Sequence, residues 1–99
     1  MRHVVLFKFR DDASPASVAR IEAAFARLPG QIPGILDFEW GTNVSPENLN
    51  QGFTHCFLLT FGTEADRDAY LTHPAHRTFV EMLDPALEKA LVVDYRARR

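Results

Sequence analysis

The chain has 99 residues, 46% of them hydrophobic and 24% charged, which is the composition of one folded domain and excludes a disordered chain, a repeat array or a two-domain enzyme. A net charge of −2 gives no electrostatic footprint for nucleic acid or an anionic membrane surface. The single cysteine, Cys56, excludes an internal disulfide framework, and no apolar run approaches the roughly 18 residues of a membrane span, so the expected compartment is the cytoplasm.

Residues 2–9 are β-branched and aromatic without a breaker and predict a first strand, closed by Asp11 and Asp12. Ser14 followed by Pro15 is an N-cap with a first-turn proline. Val18, Ile21, Phe25 and Leu28 then recur at steps of three and four, the stripe of an amphipathic helix that Pro29 and Gly30 are expected to end. A turn at 31–34 leads into a second strand, 35–40, with Phe38 and Trp40 on one face. Gly41 to Gly52 is a polar loop, and residues 53–61 are the clearest strand of the chain. Thr63 with Asp66 resembles a capping box for a short helix through Tyr70 and Leu71, which Pro74 interrupts. Ala75 to Leu83 is helical again, Asp84-Pro85 kinks or restarts it, and Leu91–Tyr95 is the last strand. The order β-α-β-β-α(α)-β predicts an α+β, ferredoxin-like βαββαβ protomer, with a four-stranded antiparallel sheet and its helices on one face.

Strand alternation sends His3, Val5, Phe7 and Phe9 one way and Val4 and Leu6 the other. His55, Phe57, Leu59 and Phe61 likewise oppose Cys56 and Leu58. Both faces are apolar, yet helices on one side cover only one of them. Aromatic rings and aliphatics left side by side in water would exceed the few hundred Å² that monomers expose. A second copy related by a two-fold axis is the simplest cover, so a homodimer with facing sheets is expected, with a higher oligomer open.

Tyr70, His73 and His76 are spaced by three and share a helical side if the turn runs through Pro74. With His3 and His55 on the aromatic face, they would line a pocket built from Val5, Phe7, Phe57, Leu59 and Phe79. Imidazoles titrate near neutrality and a phenol holds a carbonyl oxygen, so His76 as general base and Tyr70 as hydrogen-bond donor form a cofactor-free pair for enolising or aldol-type chemistry. Two readings stand together: a dimer that binds a small apolar or carbonyl-containing molecule, and a cofactor-independent cyclase, lyase or isomerase. The bland alternatives are structural histidines at strand ends and a helix-capping His73. His-x-x-His with two further imidazoles could ligate zinc, but the spacing alone is a weak signal and no cysteine pair accompanies it, so neither a metal nor a cofactor is expected.

RHVVLFKF, then PGI with FEWGTNVSPE, GFTH, DAYLTHPAHRTF and LVVDY, in this order over the whole chain, resemble the stress-responsive A/B barrel (Dabb) family. The resemblance implies a protomer that pairs into a dimeric α/β barrel. One plant member closes a linear polyketide by aldol condensation without a cofactor. The positions matching its site are His3, His55, Tyr70, His73 and His76, which implies His76 as base and Tyr70 as the assisting hydroxyl. Phe7, Phe57 and Phe79 would occupy space that a long acyl chain needs.

Overall fold

The computed structural model describes residues 1–99 as one antiparallel sheet with helices on one face. Strand β1 (Arg2–Phe9) is followed by helix α1 (Pro15–Gln31), strands β2 (Ile35–Thr42) and β3 (His55–Phe61), helices α2 (Glu64–Thr72) and α3 (Pro74–Leu83), a single 3₁₀ turn at 84–86 and strand β4 (Leu87–Tyr95). The strand order is β2-β3-β1-β4, so β1 and β3 form the centre of the sheet. This is the ferredoxin-like α+β fold expected from the element order. No helix is long and apolar enough to cross a membrane.

Local chemistry explains most boundaries. Ser14 caps α1 by accepting from the Ser17 amide, and Thr63 caps α2 by accepting from the Asp66 amide. Gly34 takes φ +96°, a left-handed turn that aims the chain into β2, and a Cβ there would press on Asp66 at 3.2 Å.

Several boundaries differ from the sequence expectation, and β3 begins at His55 rather than at 53. Helix α1 runs through Pro29 and Gly30 to Gln31, because Leu28 and Ile32 are both buried and hold the last turn against the core. Strand β2 extends to Thr42, which pairs with His55. Strand β4 begins at Leu87 rather than Leu91, because Lys89 and Ala90 pair with Lys8 and Phe7 and, beyond a bulge, Leu87 pairs with Phe9, and that pairing overrides the helical preference of Leu-Glu-Lys-Ala.

The assignment of faces needs one correction. The aromatic face, with His3, Val5, Phe7, Phe57, Leu59 and Phe61, is the one the helices cover. Phe25 of α1 stacks on Phe57 with ring centroids 4.2 Å apart, and Phe7 and Phe79 close round the pair. The uncovered face is aliphatic. Cross-strand register places Val4, Leu6, Leu58, Leu91 and Val93 together there, and Leu91 and Val93 are about half exposed, at 45% and 50%. The demand for a cover therefore stands, but the surface is flatter and less aromatic than the sequence suggested.

Phe57→Ala removes the ring on which this core closes and is expected to destabilise the fold by about 3–5 kcal/mol. Urea unfolding at fixed protein concentration measures this, and a loss below about 1 kcal/mol would place the packing centre elsewhere.

Candidate functional site

Between the sheet and α3 lies a cavity of about 330 Å³. Its inner wall is the central strand β1, through His3, Val5 and Phe7, with Phe25 of α1 at the back. Phe79 and Leu83 of α3 form one side, and Ala90, Val92 and Asp94 of β4 the other. Leu71, Val80 and Val92 are each between 41% and 52% exposed and mark the mouth, where α3 and β4 stand apart. Ala90 on β4 leaves the space open, so Phe7 and Phe79 line the cavity without filling it.

The walls are apolar except at one end. There Tyr70, the last buried residue of α2, lies 5.7 Å from the His3 ring and 4.6 Å from the His76 ring, between centroids. The close approach of Tyr70 to His76 depends on a break. His73 adopts ψ 139°, ends α2, and accepts the Ala75 amide on its Nδ1 at 3.0 Å, so it is the N-cap of α3. The helix does not continue through Pro74, and His73 does not share a face with the other two. Its nitrogen is spent on the cap.

His55 is also absent from this cavity. It lies on the same sheet face but at the opposite end, 8% exposed, with Nε2–H donating to the Glu22 carboxylate at 2.7 Å and Nδ1 2.8 Å from the Thr54 hydroxyl. Trp40 stacks over its ring at 6.0 Å. Both nitrogens are satisfied, which is the bonding of a structural histidine tying β3 to α1. Phe57 and Leu59 are fully buried beneath the aromatic core and do not reach the cavity. Of the residues expected from sequence, the structure brings together His3, Val5, Phe7, Tyr70, His76 and Phe79.

Sequence reasoning missed Asp94 and Arg67. Asp94 accepts from His3 Nδ1 at 2.6 Å with one carboxylate oxygen, and the other oxygen accepts from Arg67 Nη1. Strand alternation in Leu91–Tyr95 puts Asp94 on the side of Val92, but only the β1–β4 register sets it opposite His3. Burial works against the charged carboxylate, yet the bonds and charges of His3 and Arg67 outweigh it and hold Asp94 below the usual carboxylate range. Burial, with the adjacent charge of His3, pushes His76 below its ordinary value of 6.5, while the Leu71 backbone pulls weakly the other way. Burial also pushes the Tyr70 phenol well above 10.0, so it stays protonated and remains a donor. No group of histidine, cysteine or carboxylate side chains is arranged to hold a metal ion.

No buried side-chain nitrogen or oxygen lacks a partner, and no protein group bonds the Tyr70 hydroxyl or His3 Nε2. Both atoms therefore open onto the cavity. The arrangement is an apolar chamber whose polar end offers a phenolic donor, two imidazoles and a carboxylate behind one of them. It is suited to hold a carbonyl or hydroxyl oxygen and to move a proton beside it.

The profile of the stress responsive A/B barrel domain, Dabb, matches residues 1–97. The chain belongs to the Dabb family. It is 38% identical over 96 residues to the stress-response A/B barrel domain-containing protein HS1 of Arabidopsis thaliana, covering 97% of this chain and 88% of that one. It is 30% identical over 99 residues to olivetolic acid cyclase of Cannabis sativa, covering 100% and 98%. Among solved structures, the hydroxynitrile lyase of Passiflora edulis matches at TM-score 0.88 and 30% identity, over 95% of this chain and 89% of that one. A dimeric ferredoxin-like protein from Jannaschia sp. CCS1 matches at TM-score 0.81 and 30% identity, over 97% of each chain. Proteins similar to this chain thus include two named as different enzymes, a cyclase and a lyase, on one scaffold.

The depressed value of His76 has a sign that can be tested. In the unfolded chain this imidazole binds a proton near 6.5, and in the folded one only at lower pH. Unfolding therefore takes up a proton between those two values, so the His76 contribution to stability is lost as pH falls through that window. Melting temperatures taken from pH 7.5 to 5 should fall less in His76→Gln than in the wild type. Parallel curves would show that His76 is not held neutral by its site.

Proposed function

We propose that this Dabb protein works as a homodimer in the cytoplasm, each protomer holding a small neutral molecule with an apolar body and one carbonyl or hydroxyl oxygen. The observation that carries this reading is the polarity of the cavity: apolar walls along most of its length, with every free hydrogen-bonding atom at one end. Ligand sites have this form, a few placed polar groups in an otherwise apolar chamber of about 300–1,000 Å³. The chamber lies at the small end of that range, which selects a compact ligand rather than a long acyl chain. Arg67 offsets the charge of Asp94 and the His3 ring bonded to it is neutral on this reading, so the polar end favours a neutral oxygen over a second carboxylate.

Ala90→Phe would place a ring in the chamber from β4 without touching the polar end. Medium-chain ketones and aromatic aldehydes are expected to shift amide resonances around Val92, Phe79 and Tyr70 in the wild type. In Ala90→Phe the binding should weaken by at least about tenfold, or 1.4 kcal/mol. Equal affinity in both proteins would place the ligand outside this cavity.

The dimer rests on the aliphatic face of the sheet and on the dimeric state of the structural neighbours. Leu58 lies at its centre, on β3 between Val4 and Glu39 in register. Sedimentation equilibrium at micromolar concentration should give a dimer for the wild type, and monomers for Leu58→Asp, whose charge would be buried unpaired between the sheets. A monomeric wild type would overturn this assembly.

A second reading, catalysis, is favoured by one specific observation. Four groups able to donate, accept or steady a proton, Tyr70, His76, His3 and Asp94, converge on a chamber that needs only one of them to hold an oxygen. On this reading the protein enolises its ligand, in a lyase, cyclase or isomerase reaction without a cofactor. Deuterium from D2O should then appear at the carbon beside the carbonyl of a bound ketone, and its absence at saturating ketone would reduce the function to binding.

A further inference from the structure

We propose that the proton-transferring group of the cavity is His3, with Asp94 and Arg67 as positioning residues behind it, and that Tyr70 and His76 hold the substrate oxygen. This assignment rests on the catalytic reading above and departs from the expectation that His76 is the base.

The geometry separates the two imidazoles. His3 lies on the central strand, 4% exposed, with Nδ1 2.6 Å from Asp94 Oδ1. An ionised carboxylate only accepts, so Nδ1 carries the proton in this bond, and in the neutral ring, the form this proposal requires, the Nε2 lone pair faces the cavity. A carboxylate fixing the far nitrogen sets the tautomer and balances the positive charge that appears when Nε2 takes a proton. His76 has no carboxylate bonded to either nitrogen. It approaches Tyr70 instead, and burial disfavours its charged form. A protonated phenol is a hydrogen-bond donor, and a neutral imidazole beside it can add a second through its single N–H.

Asp94 is oriented in turn. Its second oxygen is taken by Arg67 Nη1, while Arg67 Nε donates to Asp68 at 2.9 Å. The guanidinium is thus fixed from α2, on the element that also supplies Tyr70. The groups facing His3 are Asp94 from β4, Arg67 and Tyr70 from α2 and His76 from α3, with the Phe61 ring of β3 edge-on at 6.2 Å.

The step balances without a cofactor. Nε2 of His3 takes a proton from the carbon beside the carbonyl, so a C–H bond breaks and an N–H bond forms. The electron pair moves onto the carbonyl oxygen as an enolate, which accepts hydrogen bonds from Tyr70 and His76. The imidazolium, steadied by Asp94, then returns its proton to the product.

The test uses 2-octanone in D2O with the wild-type protein, reading deuterium at the carbons beside the carbonyl, together with ring nitrogen shifts of His3 in the ligand-free protein. Expected are a His3 ring protonated on Nδ1 and bare on Nε2, and an exchange rate about a hundredfold lower in His3→Asn. His76→Asn should act chiefly by raising KM. Because His3 is buried, Asp94→Asn and Arg67→Met on more exposed positions carry the test if His3→Asn fails to fold. Asp94→Asn should lower kcat at least about tenfold with KM little changed and should mix the His3 tautomers, and Arg67→Met should do the same more weakly. Exchange that survives His3→Asn but not His76→Asn would overturn the assignment, as would an unchanged kcat in both positioning variants. A wild type that binds 2-octanone without exchange sinks the catalytic reading itself, and the His3 assignment with it.

Discussion

Everything in this protomer depends on the alternation of side chains along β1. One step along that strand separates three environments. Val5 and Phe7 point into the aromatic core, His3 on the same face reaches the cavity, and Val4 and Leu6 between them point to the aliphatic face. A one-residue slip in register would exchange all three at once, placing aliphatics under the helices and imidazole and phenyl rings on the outside. The pairings of β1 with β3 on one edge and β4 on the other therefore fix the core, the site and the surface for assembly together.

The cavity follows from how the helices meet this sheet. Helix α1 covers β3 and the middle of the sheet through Phe25, while α3 packs against α1 and leaves the space over β4 open. Protein interiors otherwise close to crystal-like density. A sealed void of 330 Å³ would cost roughly 8 kcal/mol at about 24 cal/mol per Å³, comparable with the whole stability of a small domain. The exposed rim at Leu71, Val80 and Val92 admits solvent and lowers that cost, and Ala90 keeps the chamber open where a larger side chain would close it.

The order of elements was legible because it is written in local chemistry: capping by Ser14 and Thr63, apolar steps along α1, and alternation in β1 and β3. So was the need for a cover over a sheet apolar on both sides. Which face the helices take was not, because alternation says that two faces differ and is silent on which one lies inward. The site was legible only in part for a related reason. Tyr70 and His76 are six positions apart and meet across a helix break, whereas His3 and Asp94 are 91 positions apart and meet only through strand register. His73 looked like the third member of a helical row, but an imidazole before a proline has a nearer use, accepting the first free amide of the next helix.

The same distinction bears on the chemistry. Four histidines in a small chain invite the assumption that they act together, yet each is defined by what its other nitrogen touches. His55 has both nitrogens bonded and ties β3 to α1, and His73 has one committed to a cap. His76 stands beside a phenol in a partly buried setting that favours its neutral form, and His3 alone has a carboxylate behind it and an unpartnered nitrogen in front. One residue type thus takes four environments within 99 residues, and only the last has the polarity of a base. For Dabb relatives named for different reactions, the transferable comparison is therefore the partner of each imidazole rather than its presence in an aligned column. On the proposed assignment, the position of the carboxylate decides which imidazole receives the proton.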